Sequence, residues 1–314
     1  MAPSPNSYIY PPFTALSPSS STDNFFKTPP EALKWENRKE KLLEEILRSG
    51  ADIVCLEEVD HFSDFFLPKL RENGFEGFFK PKKHSPCLEV EGNNGPDGCA
   101  LFYNTEVFSF LEKREIMLRN NEKEPNHGAI LVRLGLKKTE AESEPVAKKN
   151  KLDTDHESSD KDPGDFPKTQ LCVAVTHLKA KADAVDKRLA QGSHLYSEMK
   201  EFSGGLPAII CGDFNAQHSE PVYEYYEKTA PWLESSYCKG YGGKEPPFTS
   251  WKFRPRKESK YTIDYIWYTP QHLQLHGVWS TPSEEDIGEN ALPAQCYPSD
   301  HVALCTQLSV LGTK

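Results

Sequence analysis

The chain has 314 residues, of which 37% are hydrophobic and 27% charged, and its formal net charge is −10. This length fits one large domain or two small ones. No apolar stretch approaches the roughly 20 residues that a membrane-spanning helix needs, so we expect no membrane partner.

The first segment, residues 1–27, is predicted to be a flexible arm. It is rich in proline and serine and has no lysine or arginine before Lys27, so neither a secretory signal nor a mitochondrial presequence is evident. The eight cysteines form no C-x-x-C pair, and several lie in apolar runs. This pattern is typical of free thiols in a reducing compartment, and we expect a cytoplasmic protein.

Helical and strand patterns then alternate along the chain. Helices are predicted near residues 28–50, 63–72, 184–202 and 221–228, and strands near 51–56, 100–103, 129–136, 171–178, 207–211, 262–268 and 302–310. Several strands are apolar on both faces, which indicates that both faces are covered. We therefore predict an α/β fold in which two packed mixed β-sheets are flanked by helices, a four-layer α/β sandwich.

One acidic stretch, residues 139–167, interrupts this alternation. It contains nine acidic residues and four lysines, a net charge of −5 that is half of the chain's −10. So polar a segment buries too little apolar surface to order itself, and we predict a disordered insertion. A short basic cluster at residues 145–153 fits a nuclear-import signal or lysines that balance the acidic linker.

Polar residues cluster at or near one end of five predicted strands. The clusters are Glu57-Glu58, His177-Leu-Lys179, Asp213-Phe-Asn215, Asp264-Tyr265 and Ser299-Asp-His301. One cluster alone would be an ordinary strand-to-loop junction, but strand ends in α/β folds can converge on one edge. Carboxylates, an amide and two imidazoles without thiolate clusters suit a hard cation such as Mg²⁺ or Mn²⁺. The set is suited to metal-assisted hydrolysis of a phosphate ester.

The order of these motifs resembles the endonuclease/exonuclease/phosphatase superfamily. The matching motifs are Leu56-Glu-Glu58-Val, Thr176-His-Leu-Lys179, Gly212-Asp-Phe-Asn215, Ile263-Asp-Tyr-Ile266 and Ser299-Asp-His301. Further stretches narrow the resemblance to a phosphatase branch related to the deadenylases, among them Glu58-Val-Asp-His61 and Asn93-Asn-Gly-Pro-Asp-Gly-Cys-Ala100. The resemblance covers roughly residues 23–310 apart from the insertion and implies a catalytic domain over residues 28–312.

The resemblance implies a role for each catalytic candidate. Asp213 would orient or activate the attacking water, and Asn215 would donate to the phosphoryl group. His301 would contact the phosphate while a carboxylate such as Asp264 fixes its tautomer, and His177 would be the second imidazole. Glu58 and Asp300 would be the metal ligands and would hold Mg²⁺, with Mn²⁺ as a substitute.

Phosphate binding is assigned by resemblance to a set of mostly basic residues: Lys82, Lys179, Lys181, Asn94 and Arg254. Lysine runs are otherwise usually solvated surface, and Asn-Gly-Pro is also an ordinary turn sequence. Lys181 occupies a position where the family usually has arginine, so a point charge replaces a planar bidentate group.

The first strand departs from the family pattern. That strand normally carries an asparagine that helps to hold the metal, whereas the equivalent stretch here, residues 7–14, has no such asparagine and contains two prolines. Consecutive prolines cannot serve a central β-ladder. We therefore predict that the first strand is missing or replaced, in a variant protein or through a defective gene model.

Three functions remain open from the sequence. The resemblance implies a Mg²⁺-dependent phosphatase that removes the 2′-phosphate of NADP⁺ and NADPH. The alternative is a 3′-to-5′ exoribonuclease that shortens poly(A), although the acidic charge balance favours a small nucleotide over RNA. A non-catalytic interaction protein is the third, if the first strand is absent.

Overall fold

The computed structural model of the chain describes residues 7–10, 25–90, 95–120, 124–137, 169–229 and 232–311. The predicted acidic insertion at 139–167, with its basic cluster at 145–153, lies outside the described residues, and so does Asn94. Within the described ranges, none of the helices is both long and apolar enough to cross a membrane.

The first of two six-stranded sheets has the strand order β13-β14-β1-β2-β4-β3. Its strands are β1 Ser7–Tyr10, β2 Ile53–Val59, β3 Phe75–Pro81, β4 Gly98–Asn104, β13 Leu273–Val278 and β14 Thr306–Val310. β1 and β2 are parallel and the other neighbours are antiparallel, so the sheet is mixed.

The second sheet has the order β5-β6-β7-β8-β12-β9. Its strands are β5 Phe108–Met117, β6 Gly128–Leu136, β7 Gln170–His177, β8 Ala208–Asp213, β9 Glu234–Ser235 and β12 Asp264–Tyr268. β7 and β8 form its parallel pair. A separate antiparallel hairpin joins β10, Ser250–Arg254, to β11, Lys257–Tyr261.

The helices are short apart from two that cover the sheets. They are α1 Pro30–Leu33, α2 Trp35–Arg48, α3 Leu67–Arg71, α4 Val185–Ser203, α5 Pro221–Glu224, α6 Ser236–Gly240 and α7 Glu284–Ile287. The remaining helical elements are two π-helical turns, Phe62–Phe66 and Tyr225–Thr229, and two 3₁₀ turns, Pro86–Glu89 and Ala182–Ala184.

Three apolar clusters hold four layers together. Ile53 of the first sheet and Val173 and Ile209 of the second belong to one cluster between the sheets. A second cluster joins α4 to the outer face of the second sheet, and a third joins α2 to the outer face of the first. Alternate residues of a strand point to opposite faces, so strands covered on both faces are apolar throughout. The predicted four-layer α/β sandwich is confirmed.

Within the predicted flexible arm, residues 1–27, the segment Ser7–Tyr10 in the place of the first strand forms β1, whereas residues 1–6 and 11–24 lie outside the described residues. Ile9 pairs with Ile53 of β2, and Ser7 pairs with Leu308 of β14. The two prolines follow Tyr10, after the paired residues, and therefore do not interrupt the ladder. The first strand is thus replaced rather than missing, and the strand carries no asparagine.

Candidate active site

Three neighbouring strands of the second sheet place three polar side chains side by side. The parallel pairing of β7 with β8 sets His177 opposite Asp213. The antiparallel pairing of β8 with β12 sets Asp213 opposite Asp264. All three side chains are buried, so the predicted convergence of strand ends on one sheet edge is present.

Gly212 makes this alignment possible. Its φ is +149°, and a Cβ atom at this position would lie 1.9 Å from the backbone oxygen of Thr176. Any larger residue would force β7 and β8 apart next to His177 and Asp213. Glycine is therefore required by a close backbone approach immediately before the catalytic aspartate candidate.

His301 is fixed by Asp264. Its Nδ1 lies 3.0 and 2.9 Å from the two carboxylate oxygens of Asp264. Thr249 in turn accepts the backbone N–H of Asp264 through its hydroxyl oxygen at 3.2 Å. Burial favours the neutral ring, but the carboxylates of Asp264 and Asp300 raise the pKa of His301 to about 10. His301 is therefore a charged donor suited to a phosphoryl oxygen.

His177 has the opposite character. Burial, and then the positive charges of Lys82 and the neighbouring histidines, lower the pKa of its imidazole well below the usual value. Nε2 lies 3.6 Å from Oδ2 of Asp213, and the buried Nδ1 has no hydrogen-bond partner among the described residues. The site therefore pairs one protonated imidazole with one neutral imidazole.

Asp213 and Asn215 form a compact unit at the end of β8. Asn215 has a left-handed backbone, φ +49°, which turns its N–H onto Oδ1 of Asp213 at 2.7 Å. The Asn215 amide also donates to Oδ2 of Asp213 at 3.3 Å and to the carbonyl of Leu178 at 3.1 Å. Burial and the Asp264 carboxylate raise the pKa of Asp213 to about 8. A carboxylate with a pKa near neutrality is suited to accept a proton from water.

The predicted metal ligands approach from the first sheet and from the loop before β14. Glu58 lies at an irregularity in β2 and has a left-handed φ of +52°. Oδ2 of Asp300 accepts a 2.6 Å hydrogen bond from Lys252. Burial raises the pKa of Glu58, and Lys82 lowers it while Asp300 and Asp97 raise it further. These carboxylates are thus close enough to repel one another.

The donor set fits a hard divalent cation. Among the described residues, a carboxylate oxygen of Asp213, one of Asp264 and a ring nitrogen of His301 lie within 4.8 Å of one another. The protonated ring of His301 has no lone pair for a metal, so the carboxylates are the ligands that this group offers. Carboxylate oxygens dominate the site, and their mutual repulsion would be relieved by a bound cation. Such a cation would neutralise negative charge that develops on phosphoryl oxygens. The site can therefore hold a metal, and Glu58 and Asp300 remain its predicted ligands.

The predicted phosphate-binding residues are distributed around this centre. Lys82 forms an ion pair with the buried Asp97, which also accepts the hydroxyl of Ser85. Burial opposes the charge of Lys82, but Glu58 and Asp97 raise its pKa. Lys179 and Lys181 lie on the loop after β7, where Lys179 is half-buried and Lys181 is exposed.

Arg254 is displaced from the site relative to the prediction. It is exposed at the end of β10, where the hairpin turns. Lys252, two residues earlier on the same strand, is the residue that reaches Asp300, and this carboxylate raises the pKa of Lys252 although burial opposes it. The positive charge that β10 contributes to the site is therefore that of the half-buried Lys252 and not that of Arg254.

One further residue of the site, Arg38, was missed, and another, Glu57, was named only as part of a strand-end cluster without a role. Arg38 is 2% exposed on α2, and its Nε donates to the carbonyl of Pro298 at 2.8 Å, beside the loop that carries Asp300. Its place on the apolar face with Leu42 was a signal, because a buried arginine must have internal partners. Glu57 is fully buried, and burial raises its pKa well above the usual value. Glu57 lies in β2, a strand that is covered on both faces, and this position predicts such burial.

Comparison with known proteins agrees with this geometry. The model of the Endonuclease/Exonuclease/phosphatase family matches residues 20–301. Nocturnin of Xenopus laevis is 41% identical over 91% of this chain and 68% of its own length. Nocturnin of Homo sapiens is 40% identical over 91% of this chain and 61% of its own length. The chain thus spans about two thirds of the length of these relatives.

A solved structure and a more distant relative extend the comparison. The human Nocturnin catalytic domain with bound sulfate anion superposes with a TM-score of 0.74 and 34% identity, covering 98% of this chain and 95% of that domain. The CCR4-NOT transcription complex subunit 6-like-B of Xenopus laevis is 27% identical over 90% of this chain and 60% of its own length. The matches in sequence and in structure agree, and the chain belongs to the nocturnin branch of the endonuclease/exonuclease/phosphatase family.

Proposed function

We propose that this chain is a Mg²⁺-dependent phosphatase that removes the 2′-phosphate of NADP⁺ and NADPH. The observation that carries the proposal is the meeting of Asp213, Asp264 and His301 at one buried sheet edge. This group combines a carboxylate suited to activate water with a protonated imidazole suited to a phosphoryl oxygen. We assign the catalytic domain to residues 28–312 together with β1.

The surrounding cations support a phosphate-rich ligand of limited size. Within the site, Lys82 forms an ion pair with Asp97, and Lys252 forms one with Asp300. Lys179 and Lys181 lie on one short loop beside His177. The related human domain was solved with a sulfate, an anion of similar shape to phosphate. A few clustered cations suit a small nucleotide, whereas a nucleic acid strand needs an extended basic surface.

A poly(A)-shortening 3′-to-5′ exoribonuclease is the second candidate. The similarity to a CCR4-NOT subunit is the observation that favours it. The third candidate, a non-catalytic interaction protein, depended on an absent first strand. Ser7–Tyr10 forms a strand in that place, and the polar site residues of both sheets are brought together, so this reading loses its support.

The proposal is tested by Lys179→Ala. A hydrogen bond to a charged phosphate contributes roughly 1.5–3 kcal/mol, so kcat/KM on NADPH should fall about tenfold or more. Mn²⁺ affinity should be unchanged, because Lys179 is not among the expected ligands. The matched control is Lys69→Ala, which alters a half-exposed lysine on α3. Unaltered NADPH hydrolysis by the Lys179 variant would show that this lysine is a solvated surface residue without a role in substrate binding, and it would contradict the proposed substrate.

A further inference from the structure

The loop that follows β7, residues 178–184, carries the two lysines assigned to phosphate binding. Lys181 has a φ of +90°, which residues with a side chain rarely adopt. The loop ends in the short 3₁₀ turn Ala182–Ala184 at the start of α4. A strained backbone of this kind persists only where its surroundings hold it in place.

Three side chains hold the backbone of this loop. The amide of Asn215 donates to the carbonyl of Leu178 at 3.1 Å. Oε1 of Gln191 accepts the N–H of Lys179 at 2.8 Å. Nη1 of Arg188 donates to the carbonyl of Lys179 at 3.1 Å and to that of Lys181 at 2.6 Å. The backbone at both lysines is thus fixed by buried groups of α4.

The remaining donors of the Arg188 guanidinium engage Glu220. Nε and Nη2 both donate to Oε2 of Glu220, at 2.9 and 2.7 Å. Glu220 immediately precedes α5 and lies five residues after Asn215 in the chain. Arg188 itself is 1% exposed. It therefore ties the lysine loop to the segment that leaves the active site at Asp213.

The buried contacts of Arg188 contribute more to the fixed position of the loop backbone than to the free energy of folding. Removing a guanidinium from water is costly, and a buried ion pair often gives no net stabilisation over apolar side chains. A planar guanidinium can, however, hold two carbonyls and a carboxylate in fixed relative positions, which a lysine ammonium cannot do.

We propose that Arg188, held by Glu220, is a positioning residue that presents Lys179 and Lys181 to the phosphate of the substrate. Its contribution falls on substrate binding, while the groups around Asp213 and His301 carry the chemical step. The choice of NADPH as substrate in the test rests on the proposed function, whereas the effect on the loop does not.

The test compares Arg188→Lys with Arg133→Lys. Arg133 is the matched control, since it also donates to a backbone carbonyl, that of Phe202 at 2.5 Å, and pairs with a glutamate, Glu112 at 2.9 Å. Arg188→Lys should raise KM for NADPH about tenfold with kcat within about twofold, because it weakens two hydrogen bonds. Backbone amides of residues 178–184 should exchange hydrogen faster. Arg133→Lys should change neither measurement.

Glu220→Gln serves as a second variant if Arg188→Lys folds poorly, because it keeps the arginine and removes only the negative charge that holds it. It should raise KM in the same direction. Unchanged amide exchange in the loop of both variants would overturn the proposal.

A double-mutant comparison separates positioning from a general structural effect. In a background of Lys179→Ala and Lys181→Ala, Arg188→Lys should cause little further rise in KM, since the groups it positions are gone. A full tenfold rise in that background would overturn the proposal.

If the wild-type protein releases no phosphate from NADPH, the proposed function fails on its own. Weaker binding of inorganic phosphate by Arg188→Lys than by the wild type would then still support the positioning role, and equal binding would overturn it.

Discussion

The two buried histidines of the active site differ in charge because different groups face each ring. His301 lies against Asp264 and near Asp300, so its pKa is raised to about 10 although burial opposes this. His177 is buried near Lys82, and burial and this charge lower its pKa well below the usual value. One residue type thus supplies a proton donor and a neutral ring within a single site.

The charge of His301 predicts a pH dependence of stability in the metal-free protein. The folded protein keeps the His301 proton up to about pH 10, while the unfolded chain loses it above the ordinary value of 6.5. The stabilisation is complete below pH 6.5 and is lost as the pH rises through 10.

The measurement is urea unfolding in EDTA at about pH 9 and about pH 10, both above the raised pKa of Asp213, which is about 8. The free energy of unfolding of the wild type should fall over this range, and that of His301→Asn should fall less. Parallel falls in the two proteins would contradict the assigned charge.

Glu58 is predicted to be essential for hydrolysis without being essential for folding. Loss of this carboxylate removes a charged metal ligand and with it the electrostatic stabilisation of the transition state, which we expect to cost about 10³-fold or more in kcat. Glu58→Ala should show a native circular dichroism spectrum and weakened Mn²⁺ binding. Glu44→Ala, at an exposed position of α2, is the control. Normal turnover by a folded Glu58→Ala protein would exclude the metal assignment.

Much of the residue set could be named from the sequence, because the strand-end motifs occur in a recognisable order. The contact between Asp264 and His301 was anticipated in this way. The contacts of Lys252 with Asp300, Arg38 with the Pro298 carbonyl and Arg188 with Glu220 were not, since each joins residues that are distant in the chain. Such contacts depend on three-dimensional packing, so no local spacing of residues in the sequence predicts them.

At the scale of elements, strand alignment around Gly212 carries the active site. Gly212→Ala would combine an unfavourable positive φ with a Cβ 1.9 Å from the Thr176 oxygen. We expect a loss of roughly 3 kcal/mol in the free energy of unfolding, measured by urea denaturation, together with a loss of activity. Gly277→Ala is the matched control, because no atom lies within 4 Å of its added Cβ. Equal stability of the two variants would show that β7 and β8 tolerate separation.

The elements predicted best were those with a strong periodic pattern. The helix expected at 184–202 is α4, Val185–Ser203. The strand expected at 302–310 is shorter, Thr306–Val310, because Val302 donates to the carbonyl of Thr249 and the chain there follows the β10 hairpin. β5, Phe108–Met117, was missed because it is an edge strand whose residues are partly exposed and therefore form no apolar run.

At the scale of the whole molecule, the four layers follow from apolar strands that need cover on both faces. The pattern of strands and helices was enough to predict this architecture. Residues 7–14 were recognised as the stretch in the place of the first strand, but the pairing of β1 was not predictable, because its four residues are followed by two prolines and pair with β14, which lies some 300 residues away. The pairing of distant strands is decided by packing rather than by local sequence.

Hydrolysis of the 2′-phosphate of a dinucleotide by the assembled site is tested most directly by one measurement. The full chain is incubated with Mg²⁺ and either NADPH or oligo(A), and phosphate, NADH and shortened oligonucleotides are followed by chromatography, with EDTA and Glu58→Ala as controls. We expect equimolar NADH and phosphate from NADPH, neither product in either control, and intact oligo(A). Shortened oligo(A) beside unchanged NADPH would contradict this expectation.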